Sequence, residues 1–327
     1  MSGVLLSFTI MAVSIRALAR AFNVFEILAI RNAAGLTILL ALACARPALR
    51  ASLLPRRMGM HALRNSVHFA AQYAWALSIT LLPLATVFAL EFTNPAWLAL
   101  LAAWLLRERL TPSRAGAVVL GFLGVAVILR PGFESFQPAA LIILGAAFGF
   151  AVSSIVTKKL IVTETTFAIL FWMNAMQLPM NLAGSSPFFV TRIDLAQALP
   201  VLGVAIAGLT SHFCLTNAFR HGDASIVVPL DFLRIPLIAL IGWSVYGEPL
   251  DGFVFAGAAI IITGIVWNLR AEATTKWVIR AAPGAPRRQS NLRRGVLWQF
   301  LSQSPKSRTS PPGIPIPRPP VRLASVT

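Results

Sequence analysis

Apolar runs of about twenty residues fill most of the first 270 positions of this 327-residue chain. Short stretches rich in charge, proline and glycine separate them. A helix needs about 20 mostly apolar residues to cross a bilayer. The pattern predicts an all-α membrane protein of about ten transmembrane helices, over 3–20, 24–44, 62–81, 84–106, 114–130, 138–157, 166–184, 198–218, 224–246 and 252–269. Ala17-Leu18-Ala19 resembles a signal-peptide cleavage site, but no basic residue precedes Gly3, so the first run reads as a span beginning near the initiator.

Composition agrees. The chain is 57% hydrophobic and 12% charged, whereas soluble domains carry roughly 25% charged residues. The net charge of +17 would suggest nucleic-acid binding in a soluble protein. Its placement in loops and a tail instead follows the positive-inside rule. With the N-terminus inside, cytoplasmic loops hold Arg46, Arg50, Arg56, Arg57, Arg64, Arg107, Arg109, Arg114, Lys158, Lys159 and Arg220; the other side holds Arg16, Arg20, Arg130 and Arg192. Both termini are therefore expected in the cytoplasm, and the lipid bilayer, not a nucleic acid, is the expected surrounding partner. Residues 271–327 form a basic, proline-rich tail expected to be disordered. Cys44 and Cys214 make neither a disulfide framework nor a metal spacing; no metal or cofactor is expected.

The halves match at a nearly constant offset. Glu91-Phe92 pairs with Asp231-Phe232, Glu108 with Glu248, Gly124 with Gly264, and Asn32 with Asn174. Five spans per half is an odd number, so the second half should lie inverted. Inverted repeats are a signature of secondary transporters, with the site near the midplane at the repeat interface. Leu84–Gly132, with Asn94-Pro95, Leu106-Arg107-Glu108-Arg109-Leu110 and Gly121-Phe122-Leu123-Gly124, resembles the EamA-type module of the drug/metabolite transporter superfamily. Residues 223–270, with Gly247-Glu248-Pro249-Leu250, resemble its second copy. The resemblance implies two inverted five-helix repeats, 1–132 and 138–270, and alternating access, with export as the direction.

Ionisable groups inside a membrane are costly and usually face a cavity or a partner. Glu91 lies seven residues into the fourth span, and Asp231 is equally deep in the ninth from its opposite end. Pro95 and Pro236 follow them, and a helical proline clashes with the carbonyl four residues back, which predicts a kink beside each acid. Arg31, in the second span, and Arg234, beside Asp231, either hold a substrate carboxylate bidentately or neutralise the two acids. Candidate cavity residues are Gln72, Tyr73, Trp75, Asn94, Trp172, Asn174, His212 and Asn217; packing, interfacial anchoring and interhelical hydrogen bonds are the competing roles. Glu108 and Glu248, at span ends, are expected to pair with nearby basic groups or to cap the helix that follows.

A permease for a small metabolite such as an amino acid or organic ion, with Glu91 carrying a coupling proton, is the expected function. No G-x-x-x-x-G-K-[ST] signature points to ATP. An integral-membrane enzyme would need histidines joined to carboxylates, and His61, His68, His212 and His221 are scattered. A non-transporting scaffold would leave the paired acids unexplained. A homodimer stays open.

Overall fold

A computed structural model describes residues 2–105, 111–130, 137–221 and 233–281; within its helices, the side chains of Ser2, His212, 215–221, Glu272 and 275–281 are outside the description. The described residues are helical, without strands. Their α-helices are α1 (Ser2–Leu18), α2 (Val24–Ala45), α3 (Pro47–Ala51), α4 (Met58–Leu81), α5 (Leu84–Glu91), α6 (Asn94–Leu105), α7 (Pro112–Leu129), α8 (Ala140–Leu160), α9 (Thr166–Ala183), α10 (Leu195–His221), α11 (Arg234–Tyr246) and α12 (Gly252–Ala281).

Local chemistry sets the helix ends. Asn23 accepts from the Glu26 N–H while Glu26 accepts from the Asn23 N–H, a reciprocal capping box that starts α2. Thr111 caps α7 with Pro112 in its first turn, and Thr165 caps α9. Gly247 ends α11 in the left-handed region at φ 65°, a conformation costly for a residue with a Cβ. The Glu248 N–H then returns to the Gly242 carbonyl at 3.0 Å.

Among the described residues, five helical segments are long and apolar enough to cross a membrane: Val24–Ala45, Leu84–Leu105, Pro112–Leu129, Ala140–Leu160 and Gly252–Ala271. Gly3–Leu18, Leu195–Ser211 and Arg234–Tyr246 are shorter apolar helices. The helices α4 and α9 are more polar because they bury His61, Arg64, Asn65, His68 and Gln72, and Asn174, Gln177 and Asn181. Apolar side chains such as Trp104, Val119, Leu123, Leu199 and Leu202 are exposed, as a lipid-facing surface requires.

Packing follows a regular pairing. α1 packs on α10, α4 on α8, α2 on α9, and α5 on α11. α7 meets α12 through glycines: a Cβ on Gly124 would lie 2.5 Å from Ile261 Cγ1 and 2.6 Å from the Gly257 carbonyl oxygen. Small residues let membrane helices approach this closely. Gly124→Ala is therefore expected to lower stability by about 1–3 kcal/mol through overpacking. Gly59→Ala, with nothing within 4 Å of the new methyl, should be neutral; thermal unfolding of the purified proteins compares them.

Several boundaries depart from the hydropathy pattern. α4 begins at Met58, four residues before position 62, so Arg64 is a buried helix residue and not a loop cation. The fourth span is two helices, broken at Phe92–Thr93. This break lies one turn before Pro95, which supplies no N–H to the Glu91 carbonyl. The corresponding region around Asp231, Phe232 and Glu108 lies outside the described residues. α12 continues past Arg270 to Ala281.

Candidate functional site

A cavity of about 520 Å³ opens among α1, α2, α4, α5, the start of α6, α8 and α9. Its wall includes Arg31, Arg64, His68, Gln72, Trp75, Glu91 and Asn94. Lys158, Ile161 and Thr166 line its exposed rim. Of these groups, Arg31 and Arg64 are 4% and 7% exposed. Arg31 fits because Gly208 on α10 has no side chain; a Cβ there would lie 2.7 Å from the arginine Cγ and Nε. Arg64 is oriented by two hydrogen bonds, Nε to Thr157 Oγ1 at 3.0 Å and Nη1 to Asn65 Oδ1 at 2.8 Å. His68 faces the Gln177 amide, with Nδ1 3.0 Å from Nε2.

At the deep end, Trp75 Nε1 donates to Glu91 Oε2 at 2.8 Å. Arg234 Nη2 stands 3.8 Å from Glu91 Oε1, so the carboxylate on α5 faces a guanidinium from α11. The Arg234 guanidinium carbon lies 4.4, 5.3 and 5.0 Å from the ring centres of Phe8, Phe88 and Phe92. Asn94 donates to the Ala147 carbonyl at 3.0 Å, tying the start of α6 to α8.

A second polar cluster lies at the opposite end of α4. This helix has 24 residues, about 36 Å at 1.5 Å per residue. Beyond it, Arg16 pairs with Glu248 at 2.6 Å and donates to the Leu82 carbonyl. The other Glu248 oxygen accepts the Leu84 N–H at 2.8 Å, capping α5. Tyr246 donates its hydroxyl to the Val13 carbonyl at 3.0 Å. One network thus joins α1, the α4–α5 turn and the end of α11. Glu248 thus pairs with a basic group, though one distant in sequence, and the helix that it caps is α5 of the other half and not the helix that follows it. Arg130 with Asp251, and Arg192 with Glu26, are further ion pairs.

Arg31, Trp75, Glu91 and Asn94 are brought to one cavity, with Arg234 directly behind Glu91. Tyr73, Trp172 and Asn174 are not in that wall. Tyr73 stacks on Phe25 at 4.4 Å, Trp172 donates to the Leu53 carbonyl at 3.0 Å, and Asn174 donates to Leu170 one turn back and packs against Gly35. Their helical faces turn toward neighbouring helices. Pro95 acts through the backbone break beside Glu91. Asp231 and the His212 side chain lie outside the described residues.

Gln72 lines the wall as its place in the third span suggested, whereas Arg64 and Lys158 are wall residues that the charge pattern hid, because cations near a span end read as loop charges. The spacing of Arg64 and His68 on one helical face was the available signal. Neighbouring His61 is fully buried, with Nε2 3.8 Å from Glu164, whose carboxylate accepts the Arg56 N–H at 2.7 Å. That contact fastens the segment before α4 to the α8–α9 turn.

Apolar helices with lipid-facing surfaces around buried cationic and acidic side chains define a multi-pass membrane protein with a polar interior site. The chain belongs to the EamA-like transporter family, whose model matches residues 1–130 and 137–270; it is a membrane transporter of that family. It is 28% identical over 213 residues to an S-adenosylmethionine uptake transporter of Rickettsia felis, covering 65% of this chain and 72% of the relative. It is 30% identical over 224 residues to a riboflavin transporter of Brucella anthropi, covering 66% and 78%. A solved crystal structure of a protein shares the fold at TM-score 0.56 and 18% identity, over 84% of this chain and 99% of the other.

Proposed function

We propose that this chain is a secondary transporter that carries a small organic ion bearing an anionic group across the bacterial inner membrane by alternating access. The observation that carries this reading is one cavity with buried Arg31 and Arg64 and half-buried Glu91, exposed at its Lys158 rim, and an ion-pair network at the far end. Arg31, Arg64 and Lys158 outnumber Glu91 among the described wall residues, which favours an anionic substrate group. Amino acids and related organic ions fit that chemistry. The relatives' printed substrates, S-adenosylmethionine and riboflavin, support a small molecule of metabolite size.

The proposed architecture is ten spans in two inverted repeats, 1–132 and 138–270, followed by the tail 271–327, of which residues 276–327 are dispensable. The helix pairing supports it. If α5–α6 count as one span, exchange of each span with the one five positions on turns the α1·α10 pair into α8·α4. The pairs α2·α9, α5·α11 and α7·α12 map onto themselves. A pseudo-two-fold axis in the membrane plane would produce this pattern. Loop charges support cytoplasmic termini, which puts the Lys158 rim inside and the Arg16–Glu248 network outside.

In the proposed cycle, substrate enters from one side, the halves rock, and the network on the other side opens. Protonation of Glu91 removes its charge opposite Arg234 and loosens the tie between α5 and α11. Proton coupling at Glu91 follows from this. Direction is set by the gradients.

Flux of labelled small anions and zwitterions into proteoliposomes tests the function. Absence of flux for all of them in folded protein, or chemical conversion of one without flux, sinks the transporter reading. Glu248→Gln tests the gate. In a background lacking Cys44 and Cys214, a Met11→Cys probe in the cavity wall should label slowly with an impermeant maleimide from outside. Glu248→Gln should raise that rate several-fold; unchanged labelling would make the network structural.

A further inference from the structure

The surroundings of Arg234 exceed what neutralising Glu91 requires. Arg234 Nη2 stands 3.8 Å from Glu91 Oε1. Phe8, Phe88 and Phe92 border the guanidinium with ring centres 4.4–5.3 Å away. Rings held around a cation attract it through their negative faces, and aromatic cages bind ammonium-type ligands in this way. Phe88 is fully buried, and Phe92 is 7% exposed. Phe8 and Glu91 also line the cavity, so this enclosure borders the space that a substrate would occupy.

Host and guest belong to different elements. Phe8 is on α1, Phe88 on α5 and Phe92 at the α5–α6 break; Arg234 is the first residue of α11. Trp75 braces the host by holding Glu91 Oε2 and packing edge-on to Phe88 at 6.2 Å.

We propose that Phe8, Phe88, Phe92 and Glu91 form a binding site for an organic cation, ammonium or guanidinium, that Arg234 fills in this structure as a built-in occupant. This rests on the cavity being the substrate site. It extends that reading from an anionic substrate to a zwitterionic one. The anionic group lies by Arg31 and Arg64, and the cationic group takes the cage when α11 carries Arg234 away from α5. The occupant keeps the cage from standing as an empty acidic pocket between cycles. Arg234 thereby links the arrival of a substrate cation to separation of the two halves.

Purified Arg234→Ala protein, titrated with methylguanidinium chloride, tests the cage. Its melting temperature should rise saturably at millimolar probe and not with equal sodium chloride. Addition of Phe8→Leu should remove the rise. The parent, whose cage is filled, should respond to the two salts alike. If Arg234→Ala does not fold, Arg234→Lys decides, since a compact ammonium fills the cage less completely and should still yield to methylguanidinium. A folded variant that responds no differently to methylguanidinium and sodium chloride overturns the proposal, as does a rise that survives Phe8→Leu. Cage binding without flux would uphold the cage and sink the transporter reading; flux without cage binding would do the reverse.

Discussion

Glu91→Gln is expected to abolish accumulation of substrate against its gradient while downhill exchange persists. The amide keeps an oxygen that can accept the Trp75 N–H, now 2.8 Å from Glu91, so the local packing survives. It can neither ionise nor face Arg234 as a charge. Glutamine therefore resembles the protonated carboxyl permanently, and a cycle that needs a proton to come and go stops at that step. Glu91→Asp should retain part of the uphill activity with a displaced pH profile, because the shorter side chain keeps the charge but alters its distance to Trp75 and Arg234. Uphill accumulation and counterflow in the same proteoliposomes separate the two functions. Uphill transport by Glu91→Gln at the parent's rate would make Glu91 a structural counter-ion and end the proton assignment.

Arg64→Met should weaken binding of anionic substrates by roughly ten- to a hundred-fold. A hydrogen bond to a charged group is worth about 1.5–3 kcal/mol, and each 1.4 kcal/mol is about tenfold in affinity. The effect should be large because Thr157 and Asn65 hold the guanidinium at the cavity wall, so little ordering remains to be done at binding. Methionine keeps the length of the stem but leaves Asn65 Oδ1 without this donor, and some loss of stability should accompany the substitution. Arg64→Lys should recover part of the affinity, since an ammonium keeps the charge without the planar fork. Affinity per folded molecule, from equilibrium binding, is the relevant quantity. If only the melting temperature changes, Arg64 braces α4 against α8 and does not hold substrate.

Different parts of this protein were legible in the sequence to different degrees. Long apolar runs mark helices directly, because a bilayer imposes both their length and their composition. That logic was weakest at α4 and α9, whose buried His, Asn, Gln and Arg side chains lower their apolar content. Glu91 stood out as an acid deep within an apolar run. Arg64 did not, because hydropathy placed the span boundary at 62 and the arginine beside it looked like an interfacial cation.

Pairings across the two halves depend on which helices meet, and this needs the tertiary structure. The sequence alone determined an all-helical membrane class, the matched halves, the acids inside the apolar runs and the glycine-rich character of α7 and α12. These are consequences of local periodicity, solvation cost and self-similarity along one chain. Tertiary packing decided that Trp75 rather than Trp172 reaches Glu91, that Arg234 lies against Glu91 beside three phenyl rings, and that Glu248 pairs with Arg16 at the far end while capping α5. Those contacts join residues up to 232 positions apart. Nothing in the local chain specifies them, because the direction of a side chain on a helix becomes a contact only when another helix is packed against that face.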